Sequence, residues 1–423
     1  MTATPPTLRQ TLAYGALGLP LAMAALPMYV YLPQLYAQAG GMSLGLLGAL
    51  LLGARVADAG IDPLLGAWAD RARRRPLLVA LALPFLAAGL FGLMHPPASG
   101  RAAWLMFFML ITFFGFSLAT VAYQAWGANA GGDTAGRTRL TASREGFGLL
   151  GVLLAAVLPG LLSPELERGL SLLAWIYPPL LLAAAWLSWR GTPAAANASR
   201  PAATVGLMQA WRNARFVRLL AVFAVNGIAA ALPATLVLFF VADVLQAPAW
   251  GGPFLAIYFL SGVLCLPLWV ALARRLGRMR AWSAGMLLAC AAFAGAYWLG
   301  KGDILPFALV CLLSGAALGA DLALPAALLA DIAEDDDGAG NRAGSGACFG
   351  WWNLVAKLNL ALAAGLALPL LAWLGYRPGS ADGEARGALA AVYCLLPLAL
   401  KLLAAALCWR WRFQLEHVPG NRT

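Results

Sequence analysis

The chain has 423 residues, of which 62% are hydrophobic and 11% are charged. Apolar runs of about 18 residues or more recur along its whole length, which excludes an ordinary soluble domain. The runs lack the alternation of polar and apolar residues that is typical of an outer-membrane barrel. The net charge of +11 does not indicate nucleic acid as a partner, because the basic residues lie in short loops between the apolar runs. The composition therefore predicts a polytopic helical membrane protein surrounded by lipids.

The predicted elements are twelve apolar segments, called span 1 to span 12 in chain order. They cover residues 12–36, 43–69, 76–95, 102–130, 144–163, 170–189, 216–245, 251–273, 282–300, 304–331, 346–374 and 387–409. An even number of spans places both termini on one side of the membrane, and the excess of Arg on that side indicates that it is the cytoplasmic side. The first span has no cleavable-signal pattern and is expected to stay attached. We expect a multi-pass protein of the cell (inner) membrane with both termini cytoplasmic.

The chain divides into two halves at its longest polar connection. Residues 190–215 are rich in Ala, Pro, Asn and Ser, and we predict a cytoplasmic linker there, between a six-helix bundle of residues 1–189 and another of residues 216–423. The basic loop L-A-R-R-L-G-R-M-R between spans 8 and 9 stands where G-A-W-A-D-R-A-R-R-R stands between spans 2 and 3. Transporters are often built from such repeats, with the substrate near mid-membrane at the repeat interface.

Span 1 contains an unusual number of helix-breaking residues, namely Gly15, Gly18, Pro20, Pro27 and Pro33. Two interpretations stay open. The helix bends around a cavity, or it reflects the general abundance of Gly and Pro in membrane helices.

Three acid or base side chains lie within the apolar part of span 2. Arg55, Asp58 and Asp62 follow each other at spacings of three and four residues, so they share one helical face. Each costs roughly 3 kcal/mol at mid-bilayer, so the three must pair, meet water or bind an ion. Pro63 leaves the Ala59 carbonyl without its helical partner, which adds an oxygen that suits a small cation or a proton. The alternative is an Arg–Asp cluster that is mutually neutralised and only locks helices together.

Span 4 ends in polar and aromatic residues that could contact a ligand. Thr120, Tyr123, Gln124 and Trp126 supply hydroxyl, amide and indole groups at helical spacing, which favours a substrate site. The alternative is an interfacial aromatic belt. Arg144 follows at the start of span 5, where a loop charge is the other interpretation.

Further charges occur in spans 10 to 12. Asp321 lies among Leu and Ala in span 10 and needs a cation, a proton or a basic partner. Lys357 in span 11 is a candidate partner for Asp321 or for the substrate, whereas Lys401 in span 12 can extend its ammonium towards the interface. Asp331 lies at the end of span 10, before the acidic run at 334–337.

A cytoplasmic gate is the expectation for Asp331 together with Asp70 and Arg71, which lie in the basic loop after span 2. The alternative is that the acidic run is a solvated loop.

At four places the sequence resembles the glycoside–pentoside–hexuronide:cation symporters, the melibiose-permease-like branch of the major facilitator superfamily. The resemblance covers the full length. It is carried by R-x-x-D-A-x-x-D-P-x-x-G from Arg55 to Gly66, by Y-Q-A-W-G-A followed by R-T-R-L-x-x-x-R, by A-D-I-A-E-D-D-D…G-x-R, and by F-G-W-W-N-L-V-A-K-L. It implies an all-α membrane protein with twelve transmembrane helices in two six-helix bundles, the major facilitator fold.

The same resemblance implies roles for individual residues. Asp58 and Asp62 match the family's cation-binding carboxylates, Arg144 matches the arginine beside the sugar site, and Lys357 matches the polar lysine of helix eleven. Three positions depart from the pattern. Pro20 and Thr120 replace the two sugar-binding aspartates, which weakens the case for a sugar. Ile61 replaces a polar residue of the sodium-using members, which favours a proton over sodium.

These observations predict a secondary transporter that works by alternating access, as a cation- or proton-coupled symporter of a sugar- or glycoside-like small solute. A lipid-like or amphipathic substrate is the alternative. An enzyme is not expected, because His95 and His417 are the only histidines and lie in a loop and the tail. The six cysteines show no C-x-x-C spacing, so no metal or disulfide framework is predicted. No cofactor is expected apart from the coupling ion, H⁺ or Na⁺, and the protein is expected to be a monomer.

Overall fold

The structure is a computed structural model that describes residues 6–38, 42–71, 75–130, 134–192, 207–338, 344–379 and 382–415. Within these ranges twelve helical segments are long and apolar enough to cross a membrane. Each predicted span coincides with one of these segments, so the prediction of an all-α protein with twelve spans is confirmed.

Several observed helices are longer than the apolar segments predicted for them. Span 1 consists of Leu8–Gly15, Gly18–Leu26, a π-helical turn Pro27–Tyr31 and Leu32–Gln38. Spans 2 to 6 are Leu44–Arg71, Arg75–Leu93, Arg101–Ala130, Thr134–Leu162 and Leu166–Gly191. Span 7 is Ala214–Phe239 followed by a π-helical turn Phe240–Val244, and spans 8 to 12 are Gly251–Leu276, Arg278–Ala296, Ile304–Gly338, Gly344–Trp373 and Gly383–Leu415. Short 3₁₀ turns at Leu207–Arg212 and Pro248–Trp250 precede spans 7 and 8.

Several helix ends follow directly from local chemistry. The Asn213 side-chain oxygen accepts hydrogen bonds from the backbone N–H groups of Arg215 (2.9 Å) and Phe216 (3.2 Å), which caps the start of span 7. Gly277 has φ of 89°, a conformation that suits glycine, and it separates span 8 from span 9. Span 9 therefore begins at Arg278, four residues before its predicted start at 282.

Span 1 is interrupted at Ala16 and Leu17, between the two glycines that the sequence analysis singled out. A Cβ at Gly18 would lie 2.6 Å from the Arg144 carbonyl oxygen, and one at Gly151 would lie 2.1 Å from the Leu19 carbonyl oxygen. Spans 1 and 5 therefore pack closely because these positions have no side chain. The interruption coincides with close packing against span 5, and a π-helical turn follows at Pro27–Tyr31.

The chain forms two compact units, Met1–Ala202 and Ala203–Thr423. In the first unit, spans 3 and 4 approach so closely that a Cβ at Gly115 would lie 2.5 Å from the Leu86 nitrogen. In the second unit, spans 8 and 10 approach in the same way, because a Cβ at Gly315 would lie 2.2 Å from the Tyr258 carbonyl oxygen. Small residues thus set the distances between helices in each unit, as is usual where lipid removes the hydrophobic drive for association.

The π-helical end of span 7 is anchored to the connection between spans 11 and 12. The Tyr376 hydroxyl donates a hydrogen bond to Asp243 Oδ2 at 2.5 Å, and the Gly379 N–H donates to the same oxygen at 3.0 Å. Burial and the hydrogen bond to Asp243 both raise the pKa of Tyr376 above its ordinary value, so the phenol stays protonated and remains a donor.

Candidate functional site: buried charges in each unit

The candidate coupling site in the first unit is centred on Asp58 of span 2. Its side chain is 3% exposed and accepts a hydrogen bond from the Ser117 hydroxyl of span 4 at 2.8 Å. The Arg55 guanidinium lies 3.9 Å from the other carboxylate oxygen, Oδ2. The hydrogen bond and the nearby positive charge both stabilise a carboxylate in this position, and it is shielded from water.

Arg55 is held by aromatic rings as well as by charge. Its guanidinium carbon lies 4.0 Å from the ring centroid of Tyr29 in span 1 and 4.2 Å from that of Phe113 in span 4. Both distances are within the range of a cation–π interaction. Span 2 therefore places its positive charge between rings of two other helices. The sequence analysis identified Arg55 but not the two rings that hold it.

Asp62, the second predicted coupling carboxylate, lies in the same helix, and its side chain is outside the described residues. The same holds for the side chains of the predicted gate residues Asp70, Arg71 and Asp331. Their roles stay predictions from the sequence.

A second polar cluster joins span 1 to the end of span 4. The Tyr14 hydroxyl donates to the Tyr123 carbonyl at 3.0 Å, and the Tyr123 hydroxyl donates in return to the Tyr14 carbonyl. Their ring centroids lie 4.5 Å apart, and Trp126 packs edge-on against Tyr14 at 6.1 Å. Gly127 makes this contact possible, because a Cβ there would lie 2.1 Å from the Tyr14 hydroxyl.

The four span 4 residues proposed to contact a ligand lie in different surroundings. Tyr123 and Trp126 are buried at 1% and 6% exposure, whereas Gln124 is exposed and Thr120 is half-buried. Successive helical residues point about 100° apart, so Tyr123 can pack inward while Gln124 points outward. Of the four, Gln124 presents its side chain at the surface, whereas the Thr120 hydroxyl oxygen is buried.

We expect Tyr123→Phe to lower the free energy of unfolding by about 1 kcal/mol, the usual contribution of one hydrogen bond. The loss is limited because the Tyr14 carbonyl also accepts a hydrogen bond from the Ser188 hydroxyl at 3.2 Å. Thermal unfolding of the detergent-solubilised protein measures the effect. Tyr297→Phe, at a partly exposed tyrosine, is the matched control, and an equal change in both variants would contradict the prediction.

Arg144 of span 5 is half-buried, and its guanidinium donates to Glu145 Oε1 at 2.5 Å. It also acts electrostatically on the Tyr14 and Tyr123 hydroxyls. The structure thus places the arginine next to the tyrosine cluster, with its charge partly offset by an exposed glutamate.

A buried ion pair occurs in the second unit, between Asp321 of span 10 and Lys401 of span 12. The Lys401 ammonium lies 3.0 Å from Asp321 Oδ2 and 2.9 Å from the side-chain oxygen of Asn226 in span 7. Asp321 Oδ1 accepts hydrogen bonds from the Asn226 amide at 2.9 Å and from the Trp282 indole of span 9 at 2.8 Å. These contacts therefore connect four helices. We give the name span 10–12 charge cluster to Asp321, Lys401, Asn226 and Trp282.

The charge cluster corrects two expectations from the sequence. The lysine bonded to Asp321 is Lys401, whereas Lys357 was the expected candidate. Lys401 does not extend towards the interface, because its side chain is 3% exposed and both of its bonds lie inside the unit. Lys357 is half-buried in span 11, and its proposed contact with substrate stays a prediction.

Sequence reasoning missed five further partners of these charges: Tyr29, Phe113, Ser117, Asn226 and Trp282. Asn226 would have been the easiest of them to predict, since an amide within an apolar run needs a hydrogen-bonding partner just as a charge does. Among the described residues, no group of three or more His, Cys, Asp or Glu side chains could hold a metal ion.

Comparison with known proteins decides the family. The family model described as MFS/sugar transport protein matches residues 12–416. The chain belongs to this family of the major facilitator superfamily. The transporter gives no significant sequence match to curated proteins.

Solved structures share the fold of this transporter at low sequence identity. A bacterial homologue of the human lysosomal transporter Spinster, inward-facing and unoccupied, has a TM-score of 0.72 and 15% identity over 98% of both chains. The nucleoside transporter NupG has a TM-score of 0.72 and 13% identity over 97% of this chain and 100% of its own. The POT family transporter PepTSo has a TM-score of 0.69 and 13% identity over 98% and 100%. The predicted major facilitator fold is confirmed, and the chain is a transporter.

Proposed function

We propose that this transporter is a symporter that couples the movement of a sugar- or glycoside-like solute to a cation, with a proton favoured over sodium. The observation that carries the proposal is the Asp58 carboxylate, 3% exposed within a membrane span, with a hydroxyl donor at 2.8 Å and a guanidinium at 3.9 Å. A charged group in that position is costly, and in membrane helices such groups commonly mark ion pathways.

Coupling follows from charge. A proton or sodium ion that binds at Asp58 neutralises the carboxylate beside Arg55. If the substrate favours the same conformation as the bound cation, each ligand raises the affinity of the other by one shared factor. Asp62, one helical turn further along span 2, is proposed as the second carboxylate of the site. The melibiose-permease-like resemblance of this segment supports both assignments.

Substrate contacts are proposed for polar residues of spans 4 and 5, of which Arg144 matches the arginine beside the family's sugar site. Thr120 supplies a hydroxyl whose oxygen is buried, Gln124 supplies an exposed amide, and Arg144 supplies a guanidinium. Hydroxyl, amide and guanidinium groups are suited to the hydroxyl groups of a sugar. Tyr123 and Trp126 are proposed to act indirectly, by fixing span 1 against span 4, and Lys357 is proposed to contact the substrate from span 11.

The orientation proposed for the transporter is that of the sequence analysis, with both termini cytoplasmic in the cell membrane. It rests on the distribution of Arg and Lys between loops. The protein is proposed to act as a monomer.

Transport in proteoliposomes tests this proposal. The purified transporter is reconstituted, and uptake of radiolabelled sugars, glycosides, organic ions and lysolipids is measured with an imposed proton gradient, an imposed sodium gradient or neither. We expect accumulation of a sugar or glycoside above its external concentration under the proton gradient alone. Accumulation of a lysolipid instead would show that the substrate is lipid-like. Accumulation that depends on the sodium gradient and not on pH would show that sodium is the coupling ion. Equal uptake in all three conditions would contradict coupling.

A further inference from the structure

One face of span 12 is apolar and exposed along the length of the helix. Leu395, Leu402, Trp409 and Phe413 follow each other at spacings of seven, seven and four residues, so they share one helical face. Each of the four side chains is more than 40% exposed. Because span 12 crosses the membrane, we expect this face to contact lipid, with its two aromatic residues near the level of the headgroups.

Arg412 lies across the aromatic end of this face. Its guanidinium carbon is 4.1 Å from the ring centroid of Trp409 and 4.2 Å from that of Phe413, and both distances are within the range of a cation–π interaction. Nη1 donates a hydrogen bond to the Trp409 carbonyl at 2.6 Å, which is the one hydrogen bond of this side chain within the described residues. A guanidinium has five N–H donors, so Arg412 can bind an anion while it stays on the rings.

The positive charge at this end of the helix is not limited to Arg412. Nη2 of Arg215 donates to the Leu415 carbonyl at 3.4 Å, which places the start of span 7 beside the end of span 12. The two helix ends, residues 207–218 and 408–415, contain no Asp or Glu, and Glu416 lies outside the described residues. Their basic residues are Arg212, Arg215, Arg218, Arg410 and Arg412. An anion at this surface therefore meets a positive field.

The last span of the first unit ends in a similar arrangement. Trp175, Leu182, Trp186 and Trp189 share one face of span 6 at spacings of seven, four and three residues, and each is more than 50% exposed. The Arg190 guanidinium carbon lies 4.6 Å from the Trp186 centroid. An arginine stacked on a tryptophan thus ends the exposed face of the sixth helix in each half, and span 12 adds a second ring. Recurrence at corresponding places in the two halves argues against chance packing of one side chain.

We propose that the end of span 12 is a binding site for an anionic phospholipid, with Arg412 on the phosphate and Arg410 adding positive charge. A guanidinium suits a phosphate because its planar fork donates parallel hydrogen bonds. Trp409 and Phe413 lie against the glycerol and the first methylene groups, since aromatic residues of membrane spans favour this level. Arginine clusters directly beside a span attract anionic lipids. A free phosphate would use the arginines but not the exposed rings.

The test is photo-crosslinking of the full-length transporter in phosphatidylcholine vesicles. The vesicles contain a small fraction of phosphatidylglycerol with a diazirine on its acyl chain near the glycerol, or of phosphatidylcholine with the same diazirine. After illumination, mass spectrometry measures the labelling of peptides that cover residues 402–413. We expect the phosphatidylglycerol probe to label them at least about fivefold more than the phosphatidylcholine probe, because each arginine near the surface favours an anionic lipid by roughly that factor.

Matched variants test the arginine and the ring separately. Arg412→Gln should lower labelling by the phosphatidylglycerol probe about fivefold and leave labelling by the phosphatidylcholine probe unchanged. Its control is Arg377→Gln, which removes an exposed arginine at the opposite end of span 12. Trp409→Leu should lower labelling by the phosphatidylglycerol probe at least about twofold, because a ring that holds the guanidinium is lost. Its control is Trp373→Leu, at an exposed tryptophan at the end of span 11.

Equal labelling by the two probes, or equal effects of Arg412→Gln and Arg377→Gln, would overturn the proposal. Loss of labelling in excess inorganic phosphate at constant ionic strength would also overturn it, because the site would then recognise phosphate alone. If Arg412→Gln does not fold, Trp409→Leu carries the test, and labelling equal to that of Trp373→Leu would overturn the proposal. The labelling needs neither substrate nor gradient, so its outcome is separate from that of the symport proposal.

Discussion

Replacing Asp58 with Asn is expected to abolish accumulation of substrate against its gradient, while exchange of substrate across the membrane continues. Asn keeps the size of the side chain and can still accept the hydrogen bond from Ser117. It cannot change charge, so the site behaves as if it were permanently neutralised and no longer responds to the proton or sodium gradient. A coupling that depends on the charge of one carboxylate then has no energy source.

The measurement is gradient-driven uptake beside counterflow in the same proteoliposomes. We expect net accumulation to fall by at least about tenfold, the effect of removing a coupling of roughly 1.4 kcal/mol or more, while counterflow stays within a factor of a few. Glu384→Gln is the control, because it makes the same change at an exposed carboxylate in the first turn of span 12. Accumulation at the normal level in Asp58→Asn would exclude Asp58 as the coupling residue.

The number and order of the spans could be predicted from the sequence because membrane crossing is a local property. A run of about 18 apolar residues spans the bilayer whatever its neighbours are, so each span is readable by itself. The positions of the helix ends were harder to predict from the sequence. Gly277 ended span 8 through its backbone conformation, and span 10 continued to Gly338 through an acidic stretch that hydropathy excludes.

The partners of buried charges could not be predicted in the same way, because they depend on which helix faces meet. Lys357 and Lys401 are both lysines within apolar runs, and the sequence holds no direct information about which of them approaches Asp321. The packing of the helices brings Lys401, and not Lys357, into hydrogen-bonding distance of Asp321 and Asn226. Asp58 was recognisable because two other charges lie on its own helical face, whereas Ser117 comes from a helix 59 residues further along the chain.

The charge cluster of the second unit gives the largest expected effect on stability. Lys401→Met removes the ammonium and leaves the Asp321 carboxylate, which is 13% exposed, with hydrogen bonds but without a counter-charge. Breaking a buried ion pair by removing one partner commonly costs about 3–5 kcal/mol, because the remaining charge is uncompensated. We expect a loss of that order in Lys401→Met, together with a reduced yield of folded protein, since four helices are joined at this point.

A double variant separates charge balance from any other role of these residues. Lys401→Gln combined with Asp321→Asn keeps hydrogen-bonding groups of similar size and leaves no net charge in the cluster. We expect it to recover at least half of the stability lost in Lys401→Met, because replacing a whole buried pair is often close to neutral. Thermal unfolding in detergent measures all variants, with Lys301→Met at an exposed loop lysine as the matched control. If Lys401→Met unfolds at the same temperature as Lys301→Met, the buried pair does not hold the four helices together, and its place between spans 7, 9, 10 and 12 needs another physical reason.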